Sequence, residues 1–261
     1  MEELEPIKPV RHQFLKYAVG VILIILGIYS QYIFNMRGLI YGTLVVYVLP
    51  AFVVYLLDGK RILTNSFKNL KTALKFGLGY FGVLSVAGLA LAFFLLALLF
   101  AFNPEIMDTI TKPNPLLDIT PDLAMIMVWF SFIVVGPFEE FLFRGFVFGG
   151  LVGILKGKHW VYPALASSLI FSIIHLYYFI TFGIASIIQF SQITLFSLGM
   201  CGAYYKSGGN LIIPALIHGA YDATSFLIIA LPENPFLGLE LKILMIVASF
   251  FIGVFYAIGK R

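Results

Sequence analysis

Long apolar stretches recur along this sequence, separated by shorter polar segments. A helix needs about 20 residues to cross a hydrocarbon core of about 30 Å. Eight stretches approach or exceed that length, near residues 14–34, 39–57, 76–102, 122–150, 160–180, 183–205, 210–231 and 241–259. The pattern therefore predicts an all-α, polytopic membrane protein built as a bundle of about eight transmembrane helices.

The composition agrees with this pattern. The chain is 61% hydrophobic and 11% charged, whereas soluble globular domains are about half apolar and a quarter charged. No polar stretch is long enough to fold alone, so residues 1–261 are predicted to form a single membrane domain. The first apolar stretch is too long for a signal peptide and lacks a small-x-small cleavage site, which predicts a retained span. With one cysteine, Cys201, no intramolecular disulfide is possible.

Basic residues are distributed unequally between the two sides of such a bundle. One side carries thirteen: Lys8, Arg11, Lys16, Lys60, Arg61, Lys68, Lys71, Lys75, Lys156, Lys158, Lys206, Lys260 and Arg261. The other side carries three: Arg37, Lys112 and Lys242. The positive-inside rule then predicts cytoplasmic termini, in the cell membrane of a prokaryote or the endoplasmic reticulum of a eukaryote. The net charge of +4 therefore reflects topology, and no nucleic-acid partner is expected.

Two connecting segments are longer than the others. Residues 58–75 contain five basic residues spaced among apolar ones, which predicts an amphipathic helix on the anionic inner leaflet. Residues 103–121 contain four prolines and three acidic residues, which predicts an irregular external loop.

Away from the ends of the apolar stretches, four charged side chains and two histidines fall inside them. They are Glu139, Glu140 and Arg144 in the fourth stretch, His175 in the fifth, and His218 and Asp222 in the seventh. A charged residue at the centre of a bilayer costs about 2.5–3.5 kcal/mol on insertion scales. These groups are therefore expected to face one another inside the bundle or in a water-filled cavity.

Helical spacing predicts how they are arranged. Glu140 and Arg144 are four residues apart and can pair on one face, whereas Glu139 is rotated by about 100° and is left unpaired. His218 and Asp222 are also four apart. Taken alone, the pair of Glu140 and Arg144 favours a structural ion pair. A single intramembrane histidine is equally compatible with a hydrogen-bonded packing residue.

Glycines and one proline surround the glutamates. Gly136 and Pro137 directly precede them, which predicts a kinked or locally thinned helix. Gly145, Gly149 and Gly153 form small-xxx-small steps, which are typical of close helix packing.

The depth of the histidines is a difficulty for a compact site. A straight fifth helix from residue 160 would place His175 about 22 Å along its axis, against about 12 Å for His218 counted from residue 210. Either the fifth helix begins in the interface or tilts, or the site is less compact.

A carboxylate with nearby imidazoles can bind and deprotonate water, which is sufficient to hydrolyse an amide without a protein nucleophile. A serine or cysteine nucleophile is disfavoured, because no G-x-S-x-G occurs and no histidine lies near Cys201 in sequence. Glu139, His175 and His218 would also be a reasonable zinc ligand set. However, the H-E-x-x-H pattern of helical zinc sites is absent.

Three motifs occur in order on successive predicted spans: EEFLFR at 139–144, FSIIH at 171–175 and HGAYD at 218–222. Together they resemble the E-E-x-x-x-R, F-x-x-x-H and H-x-x-x-N/D pattern of the CPBP intramembrane proteases. That family includes the Ras-converting CaaX prenyl endopeptidases and bacteriocin-processing or self-immunity proteins. The resemblance covers residues 120–230, the region that carries the motifs.

The resemblance implies a role for each site residue. Glu139 would be the general base, and His175 would help to hold the attacking water. His218 and Asp222 would polarise the scissile carbonyl and stabilise the oxyanion, while Glu140 and Arg144 would orient the site.

Asp222 departs from the asparagine usual in the CaaX enzymes. An ionised carboxylate repels an oxyanion, so Asp222 would have to be protonated or would instead orient His218. No cofactor is expected, with zinc as the alternative.

These inferences predict a glutamate-dependent intramembrane endopeptidase that opens toward the cytoplasm. Its partners would be membrane lipid and a protein or peptide substrate, including prenylated CaaX proteins processed at their C-termini. Two alternatives remain: a proton-coupled transporter, since buried carboxylates and histidines also form proton relays, and a non-enzymatic immunity or interaction protein on the same scaffold.

Overall fold

The computed structural model describes residues 13–33, 39–103, 119–156, 158–179 and 183–231. Within these residues the chain is helical and contains no strand, which confirms the predicted all-α class. Its main helices are α1 (Gln13–Ile33), α2 (residues 39–65), α3 (Leu70–Phe102), α4 (Pro121–Ile154), α5 (Val161–Ile173), α6 (Ser186–Lys206) and α7 (Ile212–Ala230).

Seven of the eight predicted stretches overlap these helices. The eighth, 241–259, and most of the predicted loop 103–121 lie outside the described residues. Among the described helices, Gly42–Asn65 and Pro121–Ile154 have the length and apolar composition needed to cross a membrane. They support a membrane protein.

Helix α4 is interrupted by wide turns on both sides of its glutamates. It begins after Thr120, whose hydroxyl accepts from the Leu123 N–H at 3.3 Å. Ser131–Val135 and Phe141–Phe148 are π-helical and flank the α-helical segment Gly136–Glu140. Pro137 has no N–H to donate, and the Gly136 N–H bonds five residues back to the Ser131 carbonyl. The disturbance predicted at Gly136–Pro137 therefore takes the form of π turns, which are frequent at functional sites.

Two glycines let α4 and α7 approach closely. A Cβ at Gly136 would lie 2.4 Å from the carbonyl oxygen of Ala215, and one at Gly219 would lie 2.8 Å from that of Ser131. Real Cβ atoms essentially never come this close to backbone. This crossing brings the glutamates of α4 beside His218, the residue that precedes Gly219.

We expect Gly136→Ala to lower the free energy of unfolding by about 1–3 kcal/mol, the typical cost of overpacking, because the new methyl group meets rigid backbone of α7. Thermal unfolding of the purified protein in detergent measures the effect. Gly42→Ala is the matched control, since a Cβ there meets nothing within 4 Å. Equal melting temperatures for both variants would contradict the packing described here.

The segment predicted to lie on the inner leaflet is only partly packed into the bundle. Helix α2 continues through it to residue 65. Ile62 is fully buried, and Arg61 pairs with Asp58 at 2.6 Å and donates to the Gly145 carbonyl at 2.7 Å. The segment is therefore not a separate helix at its start, where Arg61 and Ile62 contact α4. Beyond it Leu63, Phe67 and Leu70 are exposed, and the placement of this part on the inner leaflet stays a prediction.

Helix α5 is shorter than predicted. The expected span was 160–180, but the α-helix ends at Ile173. Beyond it the backbone tightens, with the His175 N–H bonding to the Ser172 carbonyl at 3.0 Å and the Tyr178 N–H to the His175 carbonyl at 3.1 Å. The Phe171 carbonyl bonds to the His175 side chain instead. His175 therefore lies in a turn and not along a straight helix.

Candidate active site

Glu140 is the centre of a buried charged cluster. Its side chain is fully buried, and Oε1 lies 2.9 Å from Arg144 Nη1 and 2.7 Å from His218 Nδ1. Because a carboxylate oxygen accepts, His218 donates from Nδ1. The predicted pair of Glu140 and Arg144 is present. Glu140 also contacts α7 through His218, and spacing along α4 did not predict this contact.

Arg144 is fully buried on the other side of this carboxylate. Its guanidinium carbon lies 4.5 Å from the centre of the Phe171 ring, a cation–π contact that is stronger when desolvated. The same ring packs edge-on against Phe143 at 4.9 Å. Arg144 thus connects the charged cluster of α4 to α5.

Glu139 occupies a different environment from its neighbour. Its side chain is 13% exposed, and Oε2 lies 3.7 Å from His218 Nε2. The Tyr47 hydroxyl of α2 donates to Oε1 at 3.2 Å. The expectation that Glu139 is unpaired is therefore wrong. The contact between Tyr47 and Glu139 could not be predicted from the sequence, because an uncharged tyrosine does not stand out within an apolar stretch.

His218 presents its second nitrogen to two carboxylates. Nε2 lies 3.5 Å from Asp222 Oδ2 and 3.7 Å from Glu139 Oε2. The imidazole packs edge-on against Phe171, at 5.9 Å between ring centres, and against Phe196 at 5.2 Å. These two rings fix the plane of the imidazole, so that Nδ1 meets Glu140 and Nε2 meets the partly exposed carboxylates.

His175 also packs against Phe171. Its ring centre is 5.0 Å from that of Phe171, so one phenyl ring contacts both histidines. Nδ1 lies 2.8 Å from the Phe171 carbonyl oxygen. A carbonyl only accepts, so Nδ1 donates and the neutral ring carries its lone pair on Nε2. The predicted difference in depth therefore does not keep the two histidines apart, since both contact Phe171.

Further aromatic residues complete the surroundings of the histidines. Tyr177 and Tyr178 lie against His175, at 5.9 and 6.3 Å between ring centres. Tyr221 packs on Phe196 at 5.2 Å, and Gln192 donates to the Tyr221 hydroxyl. These residues were not predicted, since aromatic residues are too common in apolar stretches to indicate a site.

The six predicted residues are thus joined in one region, through direct contacts and through the Phe171 ring. Residues 121–224 match the family model described as type II CAAX prenyl endopeptidase, Rce1-like. This part of the chain is similar to the Rce1-like family. The resemblance predicted from the three motifs is therefore confirmed. No curated protein and no solved structure matches the chain.

The Rce1-like region begins with α4 and ends within α7. It contains every predicted site residue, whereas Tyr47 precedes it in sequence. The family implies a protease, with a peptide or protein as substrate and an association with membranes.

Within the described residues, the Rce1-like region included, no group of three or more His, Cys, Asp or Glu side chains is arranged to hold a metal ion. The expected reaction without a cofactor, and the alternative in which Glu139, His175 and His218 bind zinc, both stay predictions.

Proposed function

We propose that this chain is an intramembrane endopeptidase in which Glu139 activates a water molecule for peptide-bond hydrolysis. The observation that carries the proposal is the contrast between two adjacent glutamates. Glu140 is fully buried and engaged by Arg144 and His218, whereas Glu139 is 13% exposed and faces His218 Nε2. A general base must reach its water, and of the two only Glu139 is accessible.

In the proposed reaction, Glu139 Oε2 removes a proton from water as the oxygen attacks the scissile carbonyl carbon. His175 assists by accepting the second water proton in a hydrogen bond at Nε2, the nitrogen that carries the lone pair when Nδ1 donates to Phe171. Glu139 then passes its proton to the leaving amine, and the tetrahedral intermediate collapses to a carboxylic acid and an amine.

His218 is proposed to stabilise the oxyanion through Nε2. Since Nδ1 already donates to Glu140, donation from Nε2 requires a proton on both nitrogens. The carboxylates of Glu140, Asp222 and Glu139 lie 2.7, 3.5 and 3.7 Å from the imidazole nitrogens. The 3.5 Å separation between Asp222 Oδ2 and Nε2 supports the alternative in which Asp222 orients His218 and does not itself contact the oxyanion.

The proposed setting is a bundle of about eight transmembrane helices with both termini in the cytoplasm. The two helices of membrane-crossing length and the unequal distribution of basic residues support it. A site open to the cytoplasm and to lipid would suit C-terminal processing of prenylated CaaX proteins, the activity in the description of the matched family.

The test is cleavage of a prenylated CaaX peptide by the purified full chain, compared with the unprenylated peptide, with and without a metal chelator. We expect cleavage of the prenylated peptide at least about tenfold faster and unchanged by chelator, because a lipid chain concentrates the peptide at the membrane. Loss of cleavage with chelator, restored by zinc, would favour the metal alternative. Substrate-dependent proton flux in liposomes without cleavage would favour a transporter. Unchanged cellular function after replacement of both Glu139 and His175 would favour a non-enzymatic role.

A further inference from the structure

Tyr47 reaches the candidate base from outside the Rce1-like region. It lies in the π-helical segment Gly42–Val48 of α2, and its hydroxyl donates to Glu139 Oε1 at 3.2 Å across 92 positions of sequence. Its position outside residues 121–224 means that the family match does not account for it.

The phenol ring of Tyr47 is held by the helix that carries Glu139. It packs edge-on against Phe130, at 6.4 Å between ring centres, and against Phe138 at 6.3 Å. Both rings belong to α4. The direction of the hydroxyl is therefore fixed relative to α4 by packing, as expected for a preorganised hydrogen-bond donor.

A second contact fixes the helix that carries Tyr47. Arg61 of α2 donates to the Gly145 carbonyl of α4 at 2.7 Å, and its guanidinium is held by Asp58 at 2.6 Å. Helix α2 is thus attached to α4 at two separated positions. Tyr47 cannot move away from Glu139 by a small displacement of α2 without disturbing this contact as well.

The two oxygens of Glu139 have different partners as a result. Oε1 accepts from Tyr47, whereas Oε2 faces His218 Nε2 at 3.7 Å. The terminal torsion of a glutamate is broad, so nothing intrinsic to the side chain selects one orientation. A hydrogen bond to one oxygen selects it, and the other oxygen is left directed toward His218.

We propose that Tyr47 is a positioning residue for Glu139, holding Oε1 so that Oε2 is presented to the water and the scissile peptide. This inference rests on the proposed function for its catalytic consequence, but the hydrogen bond itself can be tested without any substrate. Tyr47 acts through the carboxylate and does not need to contact the peptide.

The variant Tyr47→Phe removes the hydroxyl and keeps the ring. We expect kcat for the prenylated peptide to fall about tenfold or more, because small misplacements of a reacting group cost up to about 10²-fold. We expect KM to change less than about twofold, since a loss confined to kcat is the mark of an interaction used in the transition state. Tyr41→Phe is the matched control: it removes a hydroxyl from the same helix that donates to Ser30 Oγ at 3.1 Å, and kcat should be unchanged.

The same variants are compared by thermal unfolding in detergent, in the wild-type background and with Glu139→Ala. We expect Tyr47→Phe to lower Tm in the wild type and to have a smaller effect with Glu139→Ala, since the acceptor is then absent. Additive shifts would overturn the inference whether or not the protein cleaves the peptide, and so would an unchanged kcat in an active Tyr47→Phe enzyme. If the wild type cleaves neither peptide, the proposed function fails, while non-additive shifts would still support the contact that holds Glu139.

Discussion

Glu139→Gln is expected to reduce cleavage of the prenylated peptide by about 10²–10⁴-fold, the usual contribution of a general base. The amide has nearly the shape of the carboxylate and can still accept from Tyr47, so the fold should be retained. It cannot take a proton from water. Because Glu139 is 13% exposed and is not part of the buried pair, we expect the melting temperature to change little while kcat collapses.

Asp122→Asn is the matched control for this substitution. Asp122 lies in the first turn of the same helix, α4, and is exposed, so the change in formal charge is identical but remote from His218. We expect full activity from this variant. Substantial cleavage by Glu139→Gln would remove Glu139 from the role of base and with it the proposed mechanism. The result to expect in that case is a larger loss for a different carboxylate, with Asp222 as the next candidate.

The elements could be predicted from hydropathy because a chain in lipid must satisfy its backbone hydrogen bonds within each helix. The same signal could not find the end of α5. The residues after Ile173 remain largely apolar, and hydropathy reports the solvent that a side chain prefers and not the backbone conformation. The turn forms where the His175 imidazole donates a hydrogen bond to the Phe171 carbonyl.

The site residues could be predicted because charges are costly in an apolar helix, so each one must have a reason to be there. The contacts of these residues could be predicted only in part. The Glu140–Arg144 pair follows from spacing within one helix. The contacts with Tyr47 and His218 join positions 92 and 78 residues apart, and only the packing of α2, α4 and α7 determines them. The pairing of Arg61 could not be predicted for a related reason: its charge suggested a surface position, whereas Arg61 pairs with Asp58 and contacts α4.

Arg144→Ala should destabilise the protein by about 3–5 kcal/mol, the cost of removing one partner from a buried ion pair. Arg144 and Glu140 are both fully buried and lie 2.9 Å apart, so the substitution leaves a carboxylate inside the bundle with His218 as its one remaining described ionic partner. It also removes the guanidinium from the face of Phe171. Chemical unfolding in detergent, together with the yield of monodisperse protein, measures the loss.

Lys156→Ala is the control for this substitution. It removes a cation from an exposed position just beyond the end of α4, and we expect no measurable change in stability from it.

The double variant Glu140→Leu, Arg144→Leu distinguishes the effect of the buried charges on stability from their effect on activity. Replacing both members of a buried pair by apolar residues is often neutral or stabilising, so the double variant should be more stable than Arg144→Ala. It should nonetheless be inactive, because His218 Nδ1 would lose the acceptor that fixes its orientation.

Equal stability of Arg144→Ala and the wild type would show that Glu140 is not held by this pair. An active double variant would show that the pair does not orient His218.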